Sequence, residues 1–302
     1  DDGFSLSIDG ENLVIEWADG GNRVRTANKE LTVGKIYHLQ MKYYQSAGDA
    51  LFNFNVLNLN NFNLRQQAAK LNGYDAIVVC EGFNSDLEGE GADRTFALPI
   101  EKEQNLQIAT LAKAPVVAVL NGGGNIESSK WGSKVKGLVW AWYSGQEGAT
   151  ALADVLFGNV NPSGKLPMTF EKKAEDNPTF GHYQHNGDFH VKWTEGIFVG
   201  YRGYDKNKVQ PLYPFGFGLS YTTFKLSDLH VSAPDAAGQV NVEFTLTNTG
   251  RRAGAEVVQV YVAKQAGSPV PRPIKELKQF TKVHLDAGQA QQVCLSLNKD
   301  AF

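Results

Sequence analysis

Three short apolar runs constrain this chain most: YDAIVVC (74–80), APVVAVL (114–120) and KVKGLVWAW (134–142). Each is rich in Val, Leu or Ile, and none alternates apolar with polar residues. Strands of that kind are buried on both faces, which calls for a parallel sheet between layers of helix. The intervening segments agree. NLRQQAAKLNG reads as a short helix stopped at Gly73, and IEKEQNLQIATLAK as a longer one. After the third run, SGQEGATALADVLFGNVNPSG places Leu152, Val155 and Leu156 on one helical face, with Gly158 where a helix C-cap favours φ > 0. An α/β unit is expected over about 57–225.

The flanks have a different period. FSLSIDG puts Phe4, Leu6 and Ile8 on one face, and Asp9-Gly10 is a hairpin signal before NLVIEW. KIYHLQMKYY alternates Ile36, Leu39 and Met41 imperfectly, and ALFNFNV alternates Leu51 against Phe52, Phe54 and Val56. Residues 1–56 thus read as antiparallel sheet. At the other end QVNVEFTLTNTG sets Val240, Val242, Phe244 and Leu246 on one face. AEVVQVYVA and QQVCLSLN alternate similarly, and Asn248–Gly250 and Ala287–Gly288 read as turns. Residues 226–302 are expected to form a small β-sandwich. At about 100–200 residues per domain, 302 residues fit two or three domains.

Composition excludes some roles. The 29 basic and 32 acidic residues give a net charge of −3, which offers no attraction to nucleic acid or anionic membrane. No apolar run reaches the roughly 20 residues of a transmembrane helix. Cys80 and Cys294 are the only cysteines and lie far apart in sequence, so two packed free thiols are expected rather than a disulfide framework. Compartment stays open on this ground, with a periplasmic or secreted place favoured. The opening DDGFSLSIDGENLVIEW has neither an initiator Met nor a leader, and a piece of a longer or split protein is expected.

The chemistry concentrates in EGFNSDLEGEGADR (81–94), which follows the first apolar strand. Glu81, Asp86, Glu88 and Glu90 sit among Gly82, Gly89 and Gly91, with Asp93 and Arg94 behind them. Acids on a glycine-flanked loop at a strand end can be presented to a site that the loop does not wholly build. A solvated acidic surface loop is the plain reading of the residues alone.

Longer motifs add a resemblance. LADVLFGNVNPSGKLPMTF (152–170), YPFGFGLSYTTF (213–224), and NTGRRAGAEVVQVYV followed by RPIKELKQF closely resemble glycoside hydrolase family 3. VVAVLNGGGNIE and AWYSGQEG resemble the strands and turns of the same family. The resemblance implies an α/β sandwich domain with a mostly parallel sheet over 57–225 and a fibronectin III-like domain, whole or in part, over 226–302. It also implies the C-terminal half of a PA14-like β domain over 1–56. The implied activity is that of a retaining, exo-acting β-glycosidase, most simply a β-glucosidase, acting on terminal β-linked sugars without a cofactor. In the family, a loop reading roughly E-x-E-G-x-D-R and then L-P supplies the general acid/base. EGEGADR and ALP (97–99) match it, so the resemblance makes Glu90 the candidate and Glu88 the alternative.

Retaining hydrolysis needs two carboxyl groups about 5–5.5 Å apart, one a nucleophile and one an acid kept protonated near neutral pH. The family's nucleophile is an aspartate on an N-terminal (β/α)8 barrel, in a motif such as Ser-Asp-Trp, and these 302 residues contain no such motif. The expected partners are therefore a β-glucoside or oligosaccharide and the barrel portion of the same enzyme; self-association stays open. Asp93 and Arg94 are expected to be a structural pair that fixes the loop. The alternative from a different class is a non-catalytic module that binds or scaffolds carbohydrate.

Other candidates are weaker. His182, His185 and His190 fit no compact zinc spacing. NGGGN (121–125) lacks the phosphate-loop residues and reads as a tight strand-to-helix turn. Asp1-Asp2 could hold calcium but also suit a turn. Trp17, Tyr43 and Tyr44 could stack on a sugar but suit a sheet core better.

Overall fold

The computed structural model describes residues 2–17, 25, 27–45, 54, 56, 63–85, 87–91, 94–182, 190–263 and 267–302. The chain divides into two compact units, Asp1–Tyr143 and Ser144–Phe302.

The first unit opens with an antiparallel sheet of β1 (Asp2–Ile8), β2 (Glu11–Glu16) and β3 (Leu39–Gln45), ordered β2-β1-β3. Ile8 faces Glu11, so Asp9 and Gly10 alone make the hairpin loop. Their φ values of 49° and 80° are those of a type I′ turn, which matches the twist of the flanking strands. The Asp9 carboxylate also accepts a hydrogen bond from the His38 amide at 2.9 Å, tying the hairpin to the entry of β3. The expected face of Ile36, Leu39 and Met41 is corrected at its start, because β3 begins at Leu39 and Ile36 is exposed before it. Most of the strand expected at 51–56 lies outside the described residues.

The same unit then carries α1 (Leu64–Ala69), β4 (Ile77–Gly82), α2 (Ile100–Leu111), β5 (Val116–Asn121) and β6 (Gly137–Trp140). The three strands form a parallel sheet in the order β4-β5-β6. Asn63 caps α1 by accepting from the Arg65 and Gln66 amides at 3.0 and 3.1 Å. α2 starts with Glu101 and Glu103 in its first turn, where carboxylates complement the helix dipole. Its Leu106 is fully buried with Leu120, Ile126 and Trp131 in one apolar cluster.

Only the central strand meets the expectation of burial on both faces: Val116, Ala118, Val119 and Leu120 are each 2% exposed or less. β4 does not. Its burial alternates, Val78 is 49% exposed, and Cys80 on the same face is an exposed free thiol. A flanking strand buries only the face that a helix covers, and an apolar run gives no sign of which strand is central. Cys294 is likewise exposed, on a sheet face turned to solvent, so neither cysteine is packed. NGGGN is corrected too. The chain runs on from β5 through turns over 122–136 to β6, with no helix between them.

In the second unit, α3 (Gly148–Phe157) ends at Gly158 with φ 77°, the left-handed cap that its sequence asked for. α4 (Tyr201–Asn207) follows, and Phe170 and Tyr213 form a single antiparallel bridge. Five strands complete the unit: β7 (Phe224–Val231), β8 (Val240–Asn248), β9 (Gly254–Ala263), β10 (Lys275–Leu285) and β11 (Ala290–Leu297). They make two antiparallel sheets, β11-β8-β7 and β10-β9. β8 alternates buried and half-buried residues along its whole length. Its Val242, Phe244 and Leu246 meet Val258, Val283 and Leu285 of the other sheet in one apolar core. The two-sheet sandwich is therefore the one expected from the period of the sequence. α4 is fastened to β10 by Arg202–Glu276 at 3.3 Å, Lys275–Asp205 at 3.6 Å, and a 2.8 Å bond from the Leu277 amide to the Tyr201 hydroxyl.

Asn248 ends β8 in full burial. Its amide nitrogen donates to the carbonyls of Arg252 and Leu285 at 2.7 and 3.1 Å. Its oxygen accepts from the Thr222 hydroxyl and the Gly250 amide at 2.7 and 3.1 Å. All four hydrogen-bonding positions of the amide are filled. In Asn248→Asp a carboxylate would face two carbonyls with no water to screen them, and an unpaired buried charge costs about 3–5 kcal/mol. The urea midpoint of Asn248→Asp should fall steeply at neutral pH; an unchanged midpoint would refute this reading of the network.

Candidate active site

The acidic loop leaves β4 under a tight constraint. A Cβ built on Gly82 would lie 2.0 Å from the Asn121 carbonyl oxygen, so only glycine permits the strand end to pass that close to β5. The Phe83 amide then donates to the same Asn121 oxygen at 2.9 Å. Next the chain turns on Asn84, whose carbonyl accepts from the Leu87 and Glu88 amides at 3.0 and 2.9 Å. The loop is thus folded back over the C-terminal ends of the parallel strands, where open α/β sheets assemble their sites.

Glu88 is the centre of this loop. Its Oε1 accepts from Arg94 Nε at 2.7 Å, and its Oε2 accepts from the Gly123 amide at 2.8 Å. The Tyr143 hydroxyl donates to the same Oε2. The Glu88 and Arg94 side chains retain only 21% and 16% of their exposure. Burial is the largest single influence on the Glu88 carboxyl and opposes its ionisation. The bonds from Tyr143, Arg94 and Gly123 together outweigh it and hold the carboxyl below its ordinary range. Glu88 is therefore a carboxylate at neutral pH, and its contribution to loop order is lost only as pH falls through that lowered value. Tyr143 moves the other way: partial burial and then the Glu88 bond push its hydroxyl up to about 12.

Arg94 serves the loop as a structural group. Besides Glu88 it donates to the carbonyls of Thr95 at 3.1 Å and Asn125 at 2.9 Å, and its guanidinium lies 4.3 Å from the centre of the Phe83 ring. Asp93, its expected companion, lies outside the described residues; the carboxylate that Arg94 holds here is that of Glu88. Glu90 is exposed on the same loop, followed by Gly91 with φ 77°.

An open hollow of about 430 Å³ adjoins the loop, with Cys80, Phe83, Lys102, Asn121 and Tyr143 among its walls. Lys102 donates to the Gly82 carbonyl at 2.8 Å and Asn105 to Glu81 at 2.8 Å, so α2 braces the β4 exit from below. Two participants escaped the sequence reading. Gly123 reads as a turn and Tyr143 as part of a family-like segment, yet they lie two and three residues beyond the ends of parallel strands, which is the signal that could find them.

The remaining candidates are not drawn into this site. His182 lies 3.5 Å from Glu195 and 3.2 Å from the Thr194 hydroxyl in the second unit. His185 and Asp1 lie outside the described residues, and Asp2 is described only in its backbone. Among the described residues no group of three or more His, Cys, Asp or Glu is placed to hold a metal ion, and no helix is long and apolar enough to cross a membrane. Trp17 is 53% exposed and packs edge-on to Tyr44, with ring centres 5.0 Å apart.

Known proteins resemble the chain over most of its length. Residues 16–221 match the glycosyl hydrolase family 3 C-terminal domain, and residues 256–302 match a fibronectin type III-like domain. The chain is 44% identical over 232 residues to thermostable β-glucosidase B of Acetivibrio thermocellus, covering 76% of this chain and 30% of that protein. It is 43% identical over 230 residues to probable β-glucosidase J of Neosartorya fischeri, covering 74% and 26%. Among solved structures, β-glucosidase 3B of Thermotoga neapolitana in complex with glucose superposes with a TM-score of 0.72 at 35% identity, covering 80% of this chain and 35% of that one. The Kluyveromyces marxianus β-glucosidase in complex with glucose superposes with 0.73 at 32% identity, covering 100% and 38%. The chain thus spans between about a quarter and two fifths of the length of these relatives. On the match across residues 16–221, the chain belongs to glycoside hydrolase family 3.

Proposed function

We propose that this chain is the part of a retaining, exo-acting β-glucosidase that supplies the general acid/base, and that Glu90 is that residue. The observation that carries the reading is the contrast between the two acids of EGEGADR. Glu88 is locked as a carboxylate by three donors. Glu90, two residues on, is exposed on a turn flanked by glycines. A general acid must carry a proton to the leaving oxygen and take one from water afterwards. A carboxylate already saturated with donors is poorly suited to that cycle, and Glu88 is better read as the loop's anchor.

In this reading the nucleophile is an aspartate on a (β/α)8 barrel supplied by sequence outside these 302 residues, and the substrate is a terminal β-linked sugar, which the β-glucosidase names of the relatives support. Residues 1–56 are assigned to the C-terminal half of a PA14-like β domain, 57–225 to the α/β sandwich domain and 226–302 to the fibronectin III-like domain. The antiparallel sheet of β1–β3 supports the first of these.

Two outcomes are expected. The 302-residue chain alone should not hydrolyse an aryl β-glucoside, since general-acid help by itself is worth only about 10²–10⁴-fold. Turnover by the pure chain, abolished by changing one of its own acids, would overturn the division of labour. In the complete enzyme, Glu90→Ala should be slow on poor leaving groups by about 10²–10⁴-fold. On an activated aryl glucoside it should accumulate a glycosyl-enzyme that azide discharges, and its pH–rate profile should lose the basic limb. If Glu88→Ala behaves this way and Glu90→Ala does not, the assignment has the wrong carboxylate.

A further inference from the structure

We propose that Tyr143, acting through Glu88, is a positioning residue for the turn that carries Glu90. The inference rests on the reading of Glu90 given above. It starts from the backbone of that turn. Gly89, Glu90 and Gly91 form a short stretch beyond a fixed point, the Glu88 carboxylate, and Arg94 closes the loop by bonding that same carboxylate at 2.7 Å. Glycines on both sides leave Glu90 little conformational preference of its own. Its place is therefore set by how firmly the anchors are held.

Three groups hold Glu88, and they differ in origin. Arg94 belongs to the loop itself, and Gly123 lies in the turn after β5. Tyr143 comes from beyond the end of β6, 55 residues away, and is the contact that ties the loop to the far side of the sheet. Its approach is bought with strain. Trp142, directly before it, has φ 54°, a left-handed conformation that a non-glycine residue adopts only against steric opposition. Asn121 stabilises that peptide by donating from its side chain to the Trp142 carbonyl at 2.9 Å. The backbone carbonyl of the same Asn121 receives the Phe83 amide at 2.9 Å. One residue at the end of β5 thus fixes both the exit of the acidic loop and the turn that aims Tyr143 back at it. Backbone strain kept in a folded protein concentrates at functional sites, and this strain serves a hydroxyl pointed at Glu88. With its pKa pushed up to about 12, Tyr143 remains a donor throughout the neutral range.

The contact is not a core requirement. Tyr143 is 54% exposed, so removing its hydroxyl leaves no cavity. A positioning role and a purely structural one then differ in what they do to catalysis. A misplaced acid penalises only steps that need a proton, whereas general destabilisation lowers turnover of every substrate alike.

The test uses the complete enzyme with Tyr143→Phe beside Glu90→Ala, assayed on a dinitrophenyl β-glucoside and on an alkyl β-glucoside. Tyr143→Phe should lower kcat/KM for the alkyl glucoside by about tenfold or more while changing the activated substrate by less than about twofold. Azide should rescue Glu90→Ala on the activated substrate. If azide rescues Glu90→Ala but Tyr143→Phe matches wild type on both substrates, or falls equally on both, Tyr143 does not position the acid and the reading of Glu90 stands. If azide does not rescue Glu90→Ala, the reading of Glu90 fails and the inference falls with it.

Discussion

The Glu88 carboxylate gathers donors from three places: its own loop, the turn after β5 and the turn after β6. Charge-assisted bonds of this kind are worth about 1.5–3 kcal/mol each, against a desolvation cost that grows with burial. Here the bonds win, and the carboxyl is held ionised. A half-buried ion pair is weak evidence of stability but good evidence that geometry matters, since loss of a partner leaves a charge poorly compensated. The consequence is local rigidity in a segment that, from its glycines alone, would have none. The loop becomes an extension of the parallel sheet instead of a surface strand of acids.

The sheet makes that possible. β4, β5 and β6 end together, and parallel strands end on one side only, so three consecutive exits converge. Gly82 lets the first exit cross the second at backbone contact, and Asn121 at the end of β5 serves both neighbours. Acid chemistry on a borrowed loop needs such a base, because a side chain displaced by about 1 Å can lose a hundredfold in rate. Elsewhere the chain spends its order on assembly. In the second unit, Asn248 joins the end of β8 to the chain on either side, and Arg202, Asp205 and Tyr201 fasten α4 to β10.

Much of this is legible in the sequence. Asp9-Gly10 made its hairpin, Gly158 took its left-handed cap, and Val240 to Leu246 turned alternate residues inward, because each depends on neighbours close in sequence. What depends on distant partners was not legible. The apolar run of β4 could not say that Val78 and Cys80 would face outward, since that depends on which strand is central. Asn248 read as a turn residue although its partners lie as far as 37 residues away. The acids of EGEGADR could be placed on a loop, but not oriented: Gly123 and Tyr143 lie 35 and 55 residues from Glu88.

In the proposed hydrolase, Glu90 and not Glu88 faces the sugar. The most direct measurement is a crystal structure of the complete enzyme with a glucose-like inhibitor in its site. The Glu90 carboxyl should lie about 5–5.5 Å from the nucleophile's carboxylate, as retention requires. Glu88 should remain on Arg94, Gly123 and Tyr143. A structure in which Glu88 leaves those partners to meet the glycosidic oxygen, with Glu90 turned to solvent, would refute Glu90 as the acid.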